Sequence, residues 1–142
     1  MLRPTHILET VIYGPDIPAM VAFYRDALGL TLVRDWSEVG AVLRVNPDSV
    51  LLIFDPAKSA VPGRTLPSHG ATGPGHLALR IAEADYDRWL GRLAERGIEI
   101  EHEHAWKAED GWSSPGRSIY VRDPAGNAVE LVTTDIWPAS PE

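Results

Sequence analysis

Gly75-His76-Leu77-Ala78-Leu79-Arg80-Ile81 followed by Ala84-Asp85-Tyr86-Asp87-Arg88-Trp89-Leu90-Gly91-Arg92-Leu93-Ala94-Glu95-Arg96-Gly97 reads as a strand that runs into a helix. The first part alternates apolar residues at Leu77, Leu79 and Ile81, as one face of a strand requires. In the second part Tyr86, Trp89, Leu90, Leu93 and Ala94 fall at i, i+3, i+4, i+7 and i+8, a single helical face. Gly97 then stops the helix. The same grammar occurs earlier in the chain. Ile7-Leu8-Glu9-Thr10-Val11-Ile12-Tyr13 is a β-branched strand, and Gly14-Pro15-Asp16 ends it. Asp16 is placed to cap a helix whose first turn tolerates Pro18. Met20, Phe23, Tyr24, Ala27 and Leu28 repeat the five-point spacing, and Gly29 closes it.

Each helix is followed by three strand-like segments. They are Leu30–Trp36, Ala41–Val45 and Val50–Phe54 in the first copy, and Ile98–His102, Ser118–Arg122 and Ala128–Thr133 in the second. Asn46-Pro47-Asp48-Ser49 and Asp123-Pro124-Ala125-Gly126-Asn127 are the matching turns. The chain is therefore expected to be α+β: two βαβββ modules forming a curled eight-stranded mixed sheet, helices on the outer face and a metal cleft on the inner face. We expect a single domain over residues 1–142, with modules at 5–55 and 75–134. Prolines and glycines in 56–74 suit an irregular connection between them.

Composition narrows the function. The 142 residues are 44% hydrophobic and 23% charged, ordinary for a globular protein. The longest strictly apolar run, Val50 to Phe54, is too short to span a bilayer. Thirteen basic against twenty acidic residues give a net charge of −7, which repels phosphate backbones and anionic lipid. Neither nucleic acid nor membrane is an expected partner. Met1-Leu2-Arg3-Pro4 has no apolar stretch of the secretory kind, so a cytoplasmic protein is expected. With no cysteine there is no disulfide, thiolate ligand or cysteine nucleophile. Gly111-Trp112-Ser113-Ser114-Pro115-Gly116 is not a nucleophile elbow.

Side-chain alternation selects the candidate site. If Leu8, Ile12, Leu77, Leu79, Ile119, Val121, Val129 and Leu131 face the helices, then Glu9, His76 and Glu130 share the opposite face. Glu9 and His76 hold nearly the same place in their copies. A solvated Glu and a structural His are the common fate of such residues taken singly. Three in register across a repeat, two carboxylates and one imidazole, make the donor set of a divalent metal site. Fe, Mn, Ni and Zn all suit it.

Three stretches resemble the vicinal oxygen chelate superfamily, which contains glyoxalases, extradiol dioxygenases and bleomycin resistance proteins. They are Ala22-Phe23-Tyr24-Arg25-Asp26-Ala27-Leu28-Gly29-Leu30, Gly75-His76-Leu77-Ala78, and Tyr120-Val121-Arg122-Asp123-Pro124-Ala125-Gly126-Asn127-Ala128-Val129-Glu130-Leu131. The resemblance covers nearly the whole chain and implies His76 and Glu130 as metal ligands. The first ligand position, often His or Gln in that family, is Glu9 here. Members with four ligands carry an acid or amide where this chain has Leu52 or Ile53, so the resemblance is to three-ligand members. It implies a metal-dependent lyase, isomerase, thiol transferase or dioxygenase acting on a small substrate that chelates the metal through vicinal oxygens. Glu130 and Glu9 are then the candidate catalytic carboxylates, and a homodimer is expected. The alternative is a metal-free small-molecule or antibiotic-binding protein of the bleomycin-resistance kind.

Arg44, Arg80 and Tyr120 fall on the cleft face, as substrate-steering groups or as surface charge and a half-buried phenol. His69 is either a donor beside the site or a loop residue in water. Trp106 and Trp112 belong to a polar segment that is either a lid over the substrate or a subunit contact. His102 and His104 are a further candidate metal pair, or a polar strand end.

Overall fold

The computed structural model describes residues 1–140. It divides into two compact units, each built on a four-stranded sheet. Unit 1 is Met1–Gly75 together with the turn Asp123–Asn127. Unit 2 is His76–Arg122 and the chain from Ala128 onward.

Unit 1 contains β1 (Glu9–Tyr13), α1 (Ile17–Ala22), β2 (Thr31–Asp35), β3 (Gly40–Asn46), β4 (Ser49–Phe54) and the short α2 (Pro56–Ser59). Asp16 caps α1 as its side chain accepts from the Ala19 amide at 3.1 Å. The helix widens into a π turn over Phe23–Ala27 before Gly29, at φ +80°, turns the chain away. Ile17, Met20, Tyr24 and Ala27 are buried, as are Ala41, Leu43, Leu51 and Ile53 on the sheet. The larger aliphatic side chains among them each contribute about 1.5–3 kcal/mol by leaving water. The strand order is β1-β4-β3-β2, with β1 parallel to β4 and the other pairs antiparallel. Leu8, expected to pack inward, lies before β1 and is 59% exposed. Residues 56–74 are not wholly irregular, because Asp55 caps α2 through the Ala57 amide.

Unit 2 contains β5 (His76–Arg80), α3 (Tyr86–Glu95), β6 (His102–Trp106), β7 (Gly116–Arg122) and β8 (Ala128–Val132). Its order, β5-β8-β7-β6, and its parallel β5–β8 pair repeat unit 1. Tyr86, Leu93, Ile119, Val121, Val129 and Leu131 form the core. Of the expected α3 face, Trp89 and Leu90 are only half-buried and Ala94 is exposed. The strand expected at Ile98–His102 lies four residues later. Leaving the helix takes up the residues after Gly97, where the Ile98 amide returns to the Leu93 carbonyl. Pairing with β7 then carries the polar run His102 to Trp106, which needs no apolar alternation on an edge strand. Among the described residues no helix is long and apolar enough to cross a membrane.

One glycine is fixed by the close approach of another strand. A Cβ on Gly40 would stand 2.5 Å from the Ile53 carbonyl oxygen, a backbone atom that cannot swing aside. Gly40→Ala is expected to lower unfolding stability by about 1–3 kcal/mol. Urea unfolding checks this, and an unchanged midpoint would show that β3 shifts freely.

Candidate functional site

The register of the second sheet places the chemistry. Ala78, Glu130, Tyr120 and His102 form one row across β5, β8, β7 and β6, and Arg80, Val132, Ser118 and His104 form the next. Alternation along each strand puts these residues and His76 on the face opposite the Ile119–Val121–Val129–Leu131 core.

His76 and Glu130 meet on this face, with Nε2 and Oε1 3.4 Å apart. His76 opens β5 and is exposed, whereas Glu130 lies mid-strand and is buried at 5% exposure. The imidazole's Nδ1 is 3.1 Å from the Ala128 carbonyl oxygen. A carbonyl only accepts, so Nδ1 carries a proton, and Nε2 is the nitrogen left to meet a ligand. Glu130 Oε2 accepts a 2.6 Å hydrogen bond from the Ser118 hydroxyl. The Ser118 oxygen in turn accepts from the Trp106 indole at 2.7 Å.

Two donors about 2.1 Å from one ion, at a tetrahedral angle, stand roughly 3.4 Å apart. Nε2 and Oε1 meet that spacing, and the remaining atoms of both groups are occupied as ligand side chains require. The pair therefore fits a divalent ion. Among the described residues no three His, Asp or Glu side chains come together in a group that could hold one. Glu9 is the first residue of β1, exposed, and paired with Val50.

Tyr120 stacks beside His76 at 6.4 Å and 20°. Burial first, then the Glu130 charge and its hydrogen bond, push the Tyr120 phenol up to about 12. At neutral pH it is a proton donor. A cavity of about 280 Å³ opens from His76 and Glu130 toward Arg80, Ile136 and Trp137. Arg80 is anchored by Nε on the Thr133 carbonyl at 3.1 Å. Trp106 packs on Trp112, and Trp112 on Trp137, with centroids 4.5 and 5.9 Å apart. These ring contacts lie within unit 2. His102 and His104 stand side by side at 5.7 Å.

Two expected substrate groups sit in unit 1. His69 Nδ1 lies 2.7 Å from the Tyr13 hydroxyl, and its ring meets Phe54 edge-on at 4.9 Å. Arg44 reaches the Pro47 carbonyl at 3.4 Å. Around them the face of β1, β3 and β4 that carries Glu9 is apolar: Val50, Leu52 and Phe54 are buried against Val11, Tyr13 and Val42. Register also settles the missing acid. His76 pairs with Ala128 and Glu130 is two residues on; Glu9 pairs with Val50, and two residues on is Leu52, not Ile53.

Sequence reasoning did not mark Ser118, Asp135, Ile136 or Trp137. Strand parity alone placed Ser118 on the site's face, two residues from Tyr120. The lining at 135–137 follows β8 in an irregular segment, where periodicity carries no signal.

The family model described as "Glyoxalase/Bleomycin resistance protein/Dioxygenase superfamily" matches residues 5–131. Among solved structures, this chain is similar to a lactoylglutathione lyase from Agrobacterium tumefaciens. Identity is 34% over 97% of this chain and 100% of that one, with a TM-score of 0.85. A glyoxalase/dioxygenase from Nostoc punctiforme is 23% identical over 95% of this chain and 97% of that one, TM-score 0.67. The oxidase ChaP-H2 is 23% identical over 94% of this chain and 96% of its own, TM-score 0.64. The last two show likeness of fold alone. No curated protein matches.

Proposed function

This chain belongs to the glyoxalase/bleomycin resistance protein/dioxygenase superfamily, and from that premise we propose that it is a divalent-metal-dependent enzyme of the vicinal oxygen chelate type. Its substrate is a small molecule that offers two neighbouring oxygens to the metal. The observation that carries this reading is the 3.4 Å approach of His76 Nε2 to Glu130 Oε1, each with its other atom already engaged.

His76 and Glu130 are the proposed anchoring ligands. Glu9 is the proposed third, on the strength of the repeat alone, since it holds in its own sheet the place of His76. When bound, a divalent ion supplies Lewis-acid polarisation of chelated oxygens. The protein's own groups do the rest. The Ala128 carbonyl fixes the His76 tautomer. Tyr120 keeps its proton and can donate it in a hydrogen bond beside the carboxylate. Arg80, in the lining of the cavity, offers charge to an anionic part of the substrate. Glu9, exposed at the start of its strand, is the proposed proton acceptor. Relatives of this kind pair their chains, and a homodimer is part of the proposal. Val33 on edge strand β2 and the neighbouring Trp36 are 49% and 41% exposed, as a covered edge would require.

Protein purified without chelator and dialysed against Mn(II) is expected to retain one ion per chain by elemental analysis. His76→Ala and Glu9→Ala are each expected to lose it. Retention of no ion by the wild type, together with tight binding of an uncharged drug-like ligand, would instead establish the metal-free binding protein. If only the Glu9 variant keeps its ion, Glu9 is not a ligand.

A further inference from the structure

The Trp106–Ser118–Glu130 chain has a direction that its chemistry fixes. An indole N–H can only donate, so the Ser118 oxygen is the acceptor of the 2.7 Å bond from Trp106. Ser118 is completely buried and its hydroxyl proton needs an acceptor. The carboxylate oxygen Oε2 of Glu130 stands 2.6 Å away. The hydroxyl therefore donates to Glu130, and the indole prevents it from turning round. Charge-assisted hydrogen bonds of this kind are short and roughly twice as strong as neutral ones.

We infer that Ser118 is a positioning residue, oriented by Trp106, that ties up Oε2 of Glu130 so that Oε1 alone is offered to a metal ion beside His76. The inference rests on the metal reading above and goes past it, because it assigns roles to two residues that are not ligands. It also divides the labour between the carboxylates. A Glu130 tethered through a buried hydrogen bond stays on the ion as a one-oxygen ligand. A proton taken from substrate then has to go to another group, and Glu9 is the untethered candidate.

The three residues lie on three strands, β6, β7 and β8, so the tether depends on the sheet register and not on a flexible loop. Ser118 pairs with Val132 and His104, one row from Glu130 and Tyr120, and Trp106 pairs with Gly116. Gly116 lets the Thr134 side chain lie directly against its strand, since a Cβ there would overlap it.

Mn(II) titration followed by electron paramagnetic resonance tests this on the intact protein. Ser118→Ala is expected to weaken Mn(II) binding about 10–100-fold, the usual effect of removing a partner of a metal ligand. Ser118→Thr, which keeps the hydroxyl, is expected to restore most of it. Trp106→Phe keeps an aromatic ring but loses the donor, and is expected to weaken binding by a smaller factor. In the Ser118→Ala background the Trp106 change should add nothing, because its effect passes through the hydroxyl. The melting temperature of each metal-free variant establishes that it is folded. A folded Ser118→Ala protein that binds Mn(II) as tightly as the wild type overturns the inference and leaves the metal site standing. Additive losses in the double variant remove Trp106 from it. A wild type that binds no Mn(II) overturns the metal site and the tether together.

Discussion

Glu130→Gln is expected to leave the metal-free protein as stable as the wild type and to remove most of its response to Mn(II). The amide has the shape of the carboxylate. Its oxygen can still accept from Ser118, and its nitrogen can donate to the lone pair on His76 Nε2, so no buried group is orphaned. Against an ion, the loss of the negative charge is severe. At a metal concentration one hundred times the dissociation constant, linkage stabilises the wild type by about 2.7 kcal/mol. For a chain of this size that is a rise of roughly 8 °C. If the substitution weakens binding about 100-fold, the rise shrinks to roughly 1 °C at the same Mn(II) concentration. Scanning calorimetry with and without Mn(II) reads both numbers. Equal shifts for wild type and variant would remove Glu130 from the ligand set.

Asp123→Ala is expected to be the most damaging single change to the fold. Asp123 is 4% exposed and accepts four hydrogen bonds: the Tyr24 hydroxyl at 2.7 Å, the Asn127 side-chain amide at 2.8 Å, and the Ala125 and Asn127 backbone amides at 2.9 and 3.0 Å. Burial, and then the Asp123 charge, drive the Tyr24 phenol far above its ordinary value, so it remains a donor throughout the accessible pH range. Asn127 in turn donates to the Tyr13 carbonyl and accepts from the Gly75 amide. Alanine leaves these donors without their acceptor in a site closed to water. The expected loss is about 3–5 kcal/mol, or a melting temperature lower by roughly 10 °C or more. Tyr24→Phe, which removes one donor and its bond together, should cost only about 1–2 kcal/mol. A milder effect of Asp123→Ala than of Tyr24→Phe would show that the turn is not what holds this part of unit 1.

The duplicated plan was legible because both helices are amphipathic and end in glycine, and because the strands that pack on them alternate. Those same strands made the approach of His76 and Glu130 legible, since parity fixes the face of every residue once a strand is placed. β6 was not legible. It is an edge strand whose outer side needs no apolar partner, so its alternation is written in His102, His104 and Trp106 and not in aliphatic residues. Placing it four residues early hid the contact between Trp106 and Ser118. The tether on Glu130 was hidden for a second reason: a diagonal contact between neighbouring strands depends on register, which the turn at Asp123–Asn127 sets and composition does not. Leu52 versus Ile53 was undecided for the same reason. The place of Glu9 in a ligand set still stands on the repeat.

Leu52 makes the two copies of the repeat unequal. It holds the seat that Glu130 holds in the other copy, but Val11, Val42, Val50 and Phe54 now share its side of the sheet. A carboxylate placed there would be stripped of water among aliphatic side chains and would cost several kcal/mol. A single substitution at Leu52 therefore does not give the first copy the ligand of the second. The buried carboxylate of this plan is thereby confined to β8, and the same seat in β4 belongs to an oily wall.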